Sequence, residues 1–205
     1  MLWIGDIDKV HWRKILGTLL PFLLGNVLFG GVAMFFFAPA TADAADSVVL
    51  EFKVKAAMLY KFLDYIEWPA SAFPSDSSPY IIAVIGAEAI ATELKEITAL
   101  RTVNNRRILI TEVGSPEALV EGIHMLFIGR DMDAQQAQTI KLAQQYSIVT
   151  VTENPHGLDQ GSVINFRLAD GHVKFDVSLI ATEERNVKVS ARMLAVASSV
   201  TQEPQ

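Results

Sequence analysis

The sequence predicts an α/β fold in three layers: a mostly parallel sheet flanked by helices, ending in an antiparallel hairpin and closing helices. Three observations predict it. Tyr80–Ile85 is a continuous apolar run ended by Gly86, as expected of a strand buried on both faces, and Met125–Ile128 and Ile148–Thr152 read as further strands. Stretches of helical period alternate with them, which calls for parallel strands joined through helices. Late in the chain, Asp170-Gly171 joins two strand-like runs, and Asp-Gly is a strong hairpin signal.

The first element is a helix over Val48 to Glu67. Leu59, Phe62, Leu63 and Ile66 fall at i, i+3, i+4 and i+7, one helical face. Its start is ambiguous, because Leu50, Phe52 and Val54 alternate with Glu51, Lys53 and Lys55 like a strand. Trp68-Pro69 closes it, since proline disfavours helical geometry in the residue before it. Ser71 to Pro79 is a loop rich in Ser and Pro. After the Tyr80–Ile85 strand and Gly86, residues 87–98 read as a helix with Ile90, Leu94 and Ile97 inward. Asn104-Asn105 marks a turn and Ile108–Thr111 a strand. Ser115-Pro116 predicts a capped short helix to about Glu121. The Met125–Ile128 strand stops at Gly129. Asp133 to Tyr146 is helical, and Ile148–Thr152 is the next strand. Val163–Leu168 and His172–Val177 form the hairpin, and Ser178–Glu184 and Ser190–Val200 close the chain as helices. The result is a Rossmann-like topology in one domain over residues 45–205, with no internal repeat.

Residues 1–44 read as an address. Lys9, Arg13 and Lys14 precede an uncharged run, Ile15 to Phe37, and Ala42 and Ala44 then give A-x-A spacing. This is a secretory signal peptide cut between Ala44 and Ala45. The run of 23 residues also suits an uncleaved anchor, so cleavage and anchoring are both open. Either way the basic flank stays inside and the rest is exported, to the periplasm.

Composition removes several function classes. The net charge is −6 and no Lys/Arg stripe is visible, so nucleic acid is not the expected partner. With no cysteine there is no thiolate nucleophile, no Cys-ligated zinc and no thiol switch. No stretch reads G-x-S-x-G, G-x-G-x-x-G or G-x-x-x-x-G-K-[ST], so the fold lacks its nucleotide motif and no catalytic residue, cofactor or metal is expected. His124, His156 and His172 have no metal-ligand spacing. Asp131 and Asp133 lack the rest of a calcium loop and suit a helix start instead.

Two candidate sites remain. Open α/β sheets bind ligands beyond the carboxyl ends of their strands. There Arg130 could meet an anionic group beside Glu153 and Asn154, or simply form an Arg–Glu surface pair. Among the aromatics of residues 60–68, Tyr60 and Trp68 lie off the core stripe or at its end. They are candidates for a partner surface, with the alternative that Trp68 pins the helix end to the core.

The segment Val54-Lys55-Ala56-Ala57-Met58-Leu59-Tyr60-Lys61-Phe62, followed by Ile66-Glu67-Trp68-Pro69, resembles the opening signature of the YfiR-like family of periplasmic proteins. Val84-Ile85-Gly86, Thr102-Val103-Asn104-Asn105-Arg106 (with Asn105 where glycine is usual), Met125–Ile128, Val149–Thr152 and Gly161–Ile164 resemble later motifs in order. Val173–Val177 and Val187–Leu194 resemble its ending. The resemblance covers about residues 50–197 and implies a non-enzymatic repressor. Such proteins bind the periplasmic part of an inner-membrane diguanylate cyclase, lowering cyclic di-GMP and biofilm formation. It leaves room for a homodimer. Relatives carry disulfide-forming cysteines that tune activity; this chain has none. A periplasmic small-ligand-binding protein is the alternative, and the membrane is met only through the signal segment if that stays uncleaved.

Overall fold

Side-chain alternation decides how each central strand is buried. In β2 (Tyr80–Ile85), Ile82 and Val84 enter one apolar core, while Ala83 and Ile85 enter another. In β5 (Met125–Ile128), Met125 and Phe127 share the first core, and Leu126 and Ile128 the second. A period of two with both faces apolar belongs to a strand inside a doubly covered sheet. The structure is a computed structural model and describes residues 42–202. The signal peptide or anchor expected over residues 1–44 lies outside those residues except for its last three positions.

The remaining elements are α1 (Ala42–Tyr65), β1 (Ile66–Glu67), α2 (Glu88–Thr98), β3 (Thr102–Val103), β4 (Arg106–Glu112), α3 (Gln136–Gln145), β6 (Val149–Thr152), β7 (Ile164–Ala169), β8 (His172–Ser178), α4 (Leu179–Glu184), β9 (Lys188–Val189), α5 (Ala191–Val196) and β10 (Ser199–Thr201). The main sheet runs β10-β8-β7-β6-β5-β2-β4-β3. Its middle, β4-β2-β5-β6-β7, is parallel, and β7-β8 is the antiparallel hairpin. The fold is therefore the mostly parallel α/β sheet that the pattern predicts.

Helices cover both faces. Leu59, Phe62 and Leu63 of α1, Ile90 and Leu94 of α2, and Met193 of α5 belong to the first core. Ile140 and Ala143 of α3 cover the second. The predicted stripe Leu59, Phe62, Leu63 and Ile66 is at most 3% exposed, and burying each such side chain is worth about 1.5–3 kcal/mol. Both tight turns are left-handed at their central residues, Asn104 and Asn105 (φ 49° and 62°) and Asp170 and Gly171 (φ 54° and 72°). Two-residue hairpin turns of type I′ require that conformation at both positions.

Four expected elements are corrected. The helix over Val48–Glu67 begins by Ala42 and stops at Tyr65, because Ile66 and Glu67 pair antiparallel with Val189 and Lys188. The Ser115–Glu121 helix is one 3-10 turn, Pro116–Ala118, in which Ser115 makes no side-chain cap bond. The helix expected from Asp133 starts as a 3-10 segment, Arg130–Gln135, and becomes α-helical only at Gln136. Ser190–Val200 divides: Ser190 caps α5 by accepting from the Met193 N–H, and Ser199–Thr201 then pairs parallel with β8.

Candidate functional site

The parallel strands end together, β2 at Gly86, β5 at Gly129 and β6 at Glu153. A Cβ on Gly129 would lie 2.1 Å from the Gly86 carbonyl oxygen, so these two turns approach only because position 129 is glycine. Arg130 follows at once, and its backbone N–H donates to Glu153 Oε1 at 3.1 Å.

Helix α1 brings two more charges to this point. Lys55 lies between Glu51, one helical turn before it, and Glu153, and donates to both. The Arg130 guanidinium donates through Nη2 to Glu51 Oε1 at 2.7 Å, and its Nε lies 3.4 Å from Glu153 Oε2. Lys55 is 2% exposed, Glu153 6% and Glu51 11%, while Arg130 is 57% exposed. Burial alone would raise the Glu51 pKa. The Lys55 hydrogen bond and the charges of Lys55 and Arg130 outweigh burial and hold it below the usual glutamate value. Two carboxylates thus balance two cations, and the anionic group that Arg130 meets is Glu51 of the same chain.

Of the three crevice candidates, the structure brings Arg130 and Glu153 together and leaves Asn154 out. Asn154 is buried and donates through Nδ2 to Gln136 Oε1 at 2.9 Å, and Gln136 donates in turn to Gln160 Oε1 at 2.8 Å. That chain of amides fastens the start of α3 to the loop after β6. Sequence reasoning missed Glu51 and Lys55. Their only signal was the Glu-Lys spacing of four, which many solvated helix faces share.

The second pair of candidates separates as well. Tyr60 is 8% exposed, with the Lys61 ammonium and the Arg101 guanidinium near its ring. Trp68 is half-buried. Its indole N–H donates to the His124 carbonyl at 3.3 Å, and its ring meets those of Tyr80 and His124 edge-on. Phe73 stacks on His124 with ring centroids 4.5 Å apart, and Arg106 lies over Phe73 at 3.9 Å. Burial pushes the His124 pKa down to about 4, and the nearby Arg106 charge adds to this.

Between them, α1, β8 and α5 leave an apolar groove of about 510 Å³. Met58, Phe62, Phe175, Met193 and Val196 line it, with Lys61 and Arg192 among its charged residues. Val196 is 71% exposed. Among the described residues no three His, Asp or Glu side chains are grouped to hold a metal, and no helix is long and apolar enough to cross a membrane.

Residues 52–198 match the family model described as YfiR/HmsC-like. No functionally curated protein matches the chain. Among solved structures, a conserved domain protein from Vibrio cholerae O1 biovar El Tor str. N16961 superposes with a TM-score of 0.50 at 12% identity, over 73% of this chain and 60% of that one. The ABC domain from Streptococcus pneumonia, in complex with L-Trp, gives 0.43 at 8% identity, over 59% and 55%. The chain thus spans about three fifths of the Vibrio protein, and at this identity the likeness is one of fold.

Proposed function

The chain belongs to the YfiR/HmsC-like family, and from that membership we propose that it is a non-enzymatic periplasmic regulator that binds and represses the periplasmic part of an inner-membrane diguanylate cyclase. The family is regulatory rather than catalytic and is tied to cyclic di-GMP signalling. The observation that carries the reading is the match itself, which runs from the middle of α1 to the residue before β10. In this reading residues 1–44 export the chain and residues 45–205 act as one domain.

Two features support a binding rather than a chemical role. The charged set at the strand ends is internally balanced, with Arg130 held by Glu51 and Glu153, as suits a clasp between helix and sheet. The groove between α1 and α5 offers apolar surface with two methionines, which adapt readily to a partner's side chains. Acting across a membrane requires the repressor to prefer one conformation of its partner. Moving that partner from 99:1 to 1:99 takes about 5.5 kcal/mol of differential affinity, within reach of an interface with a few hot spots.

Deleting the gene tests the proposal. Cyclic di-GMP and biofilm rise, and the chain with residues 1–44 restores both while a version lacking them does not. Unchanged cyclic di-GMP across growth conditions, or rescue by the version kept in the cytoplasm, overturns it.

A further inference from the structure

Helix α1 carries two apolar stripes, and the fold covers one of them. The first, with Leu59, Phe62 and Leu63, lies in the core. The second, Leu50, Val54, Ala57 and Met58, falls at i, i+4, i+7 and i+8 and so shares another face. Leu50 is 62% exposed, Ala57 is exposed, and Val54 and Met58 are only partly buried. From Val54 onward this stripe lines the apolar groove, together with Val196 of α5. A further hollow of about 610 Å³ shares Met58, Phe175 and Val196 with the groove and extends to Val173 in the hairpin.

The charges around these hollows are of one sign. The chain as a whole carries −6. Yet the charged residues lining the groove are Lys61 and Arg192, and those lining the further hollow are Arg167 and Lys174. Among the described residues no carboxylate lines either. Arg167 and Lys174 are already matched, by Asp176 and Asp170. Lys61 has only Asp64 at 3.8 Å, with both side chains exposed. Among the described residues Arg192 forms no ion pair.

Exposure and length decide what kind of ligand fits. A small molecule is normally buried over most of its surface, which a groove with Val196 71% exposed does not provide. A helix needs only one stripe covered. From Leu50 to Tyr65 the uncovered side of α1 is about 22 Å long, about four helical turns.

We propose that the groove and the uncovered stripe of α1 receive an acidic amphipathic helix of the membrane partner, its apolar side chains entering the groove and its carboxylates facing Lys61 and Arg192. This rests on the regulatory reading above and adds the chemistry of the partner's docking segment. Apolar anchors on a helix laid into a groove supply affinity. The cations set orientation and partner choice, because a basic helix brings like charge to the same rim.

Two labelled synthetic helices serve as probes. Both carry the same leucine stripe, flanked by Glu in one and by Lys in the other. Fluorescence anisotropy with the exported protein should show the Glu helix binding at least about tenfold tighter at low salt. The difference should shrink towards about 1 M salt. Arg192→Glu combined with Lys61→Glu reverses the preference. Both positions are exposed and Glu is favoured in the first turn of α5, so the melting temperature of this variant checks that the fold is kept. Equal binding of the two helices, or no binding of either up to about 1 mM, overturns the proposal. So does self-association that Val196→Asp abolishes, since a second copy then fills the groove. In the deletion strain, the full chain with Arg192→Glu and Lys61→Glu should lose the repression that the unchanged chain restores. Full repression by it overturns the proposal. Cyclic di-GMP unmoved by the deletion itself fails the regulatory reading, and with it the partner named here, while the peptides still decide the preference of the groove.

Discussion

Lys55 and Glu153, 98 positions apart in the chain, meet as a buried ion pair that joins the middle of α1 to the end of β6. Glu51 and Arg130 complete the set on either side. A pair so buried is strongly felt when one member is lost, because the survivor keeps its charge without a partner.

Lys55→Met is therefore expected to lower folding stability by about 3–5 kcal/mol, since Glu51 and Glu153 are then left with Arg130 alone. Adding Glu153→Gln to that variant restores part of the loss. Urea unfolding of the two single variants and the double variant measures this as a coupling energy. Additive effects would show that the pair contributes nothing as a unit.

Acid is expected to weaken the fold in two steps. His124 has its folded pKa pushed down to about 4 from 6.5. Between those values the unfolded chain takes up the proton and the folded one does not, so its contribution is complete above pH 6.5 and lost as pH falls towards 4. The total is up to roughly 3 kcal/mol. Glu51 is also lowered, so its contribution is complete above the ordinary glutamate pKa of 4.5 and is lost below it. Stability measured against pH in His124→Gln should show the upper slope flattened and the lower one kept.

Tyr60→Ala and Trp68→Ala are both expected to cost folding stability, about 3 kcal/mol or more for a well-buried ring. Partner binding by the folded fraction then separates their roles. Tyr60, 8% exposed, should act through folding, whereas Trp68 has surface left to offer a partner. Unchanged binding by folded Trp68→Ala would remove that residue from the partner surface.

Val196→Asp places a charge on the open side of the apolar groove. Val196 is 71% exposed, so stability should stay within about 0.5 kcal/mol. Capture of the membrane partner should fall and cyclic di-GMP should rise. Normal repression by this variant would move the docking surface elsewhere.

Much of the fold was legible because the central strands carry a physical signature. Tyr80–Ile85 and Met125–Ile128 are apolar on both faces, and Asp170-Gly171 has the residues its turn requires. The short pieces had none. Two residues, Ile66-Glu67 or Lys188-Val189, are too few for a period, and their pairing across more than a hundred positions is a tertiary fact. Val200 looked like the end of a helical stripe because the pattern does not record that the chain breaks after Val196 to pair with β8. At the site, Arg130 and Glu153 were found by the strand-end rule. Lys55 was not, because a lysine in a helix is ordinarily solvated and nothing local says that it is buried.

The two ends of the sheet differ in their exposure to self-assembly. At one end β10 covers only Asp176–Ser178 of β8, and the start of that strand, left without a neighbour there, carries His172 and Lys174. At the far end β3 covers only Arg106 and Arg107 of β4, leaving the edge from Ile108 to Glu112 open, with Leu109 48% exposed. Charges stand at both ends of that stretch, Arg107 before it and Glu112, paired with Lys95, at its close. They act as gatekeepers against edge-to-edge aggregation. A concentrated preparation of this protein that began to form fibres would begin there.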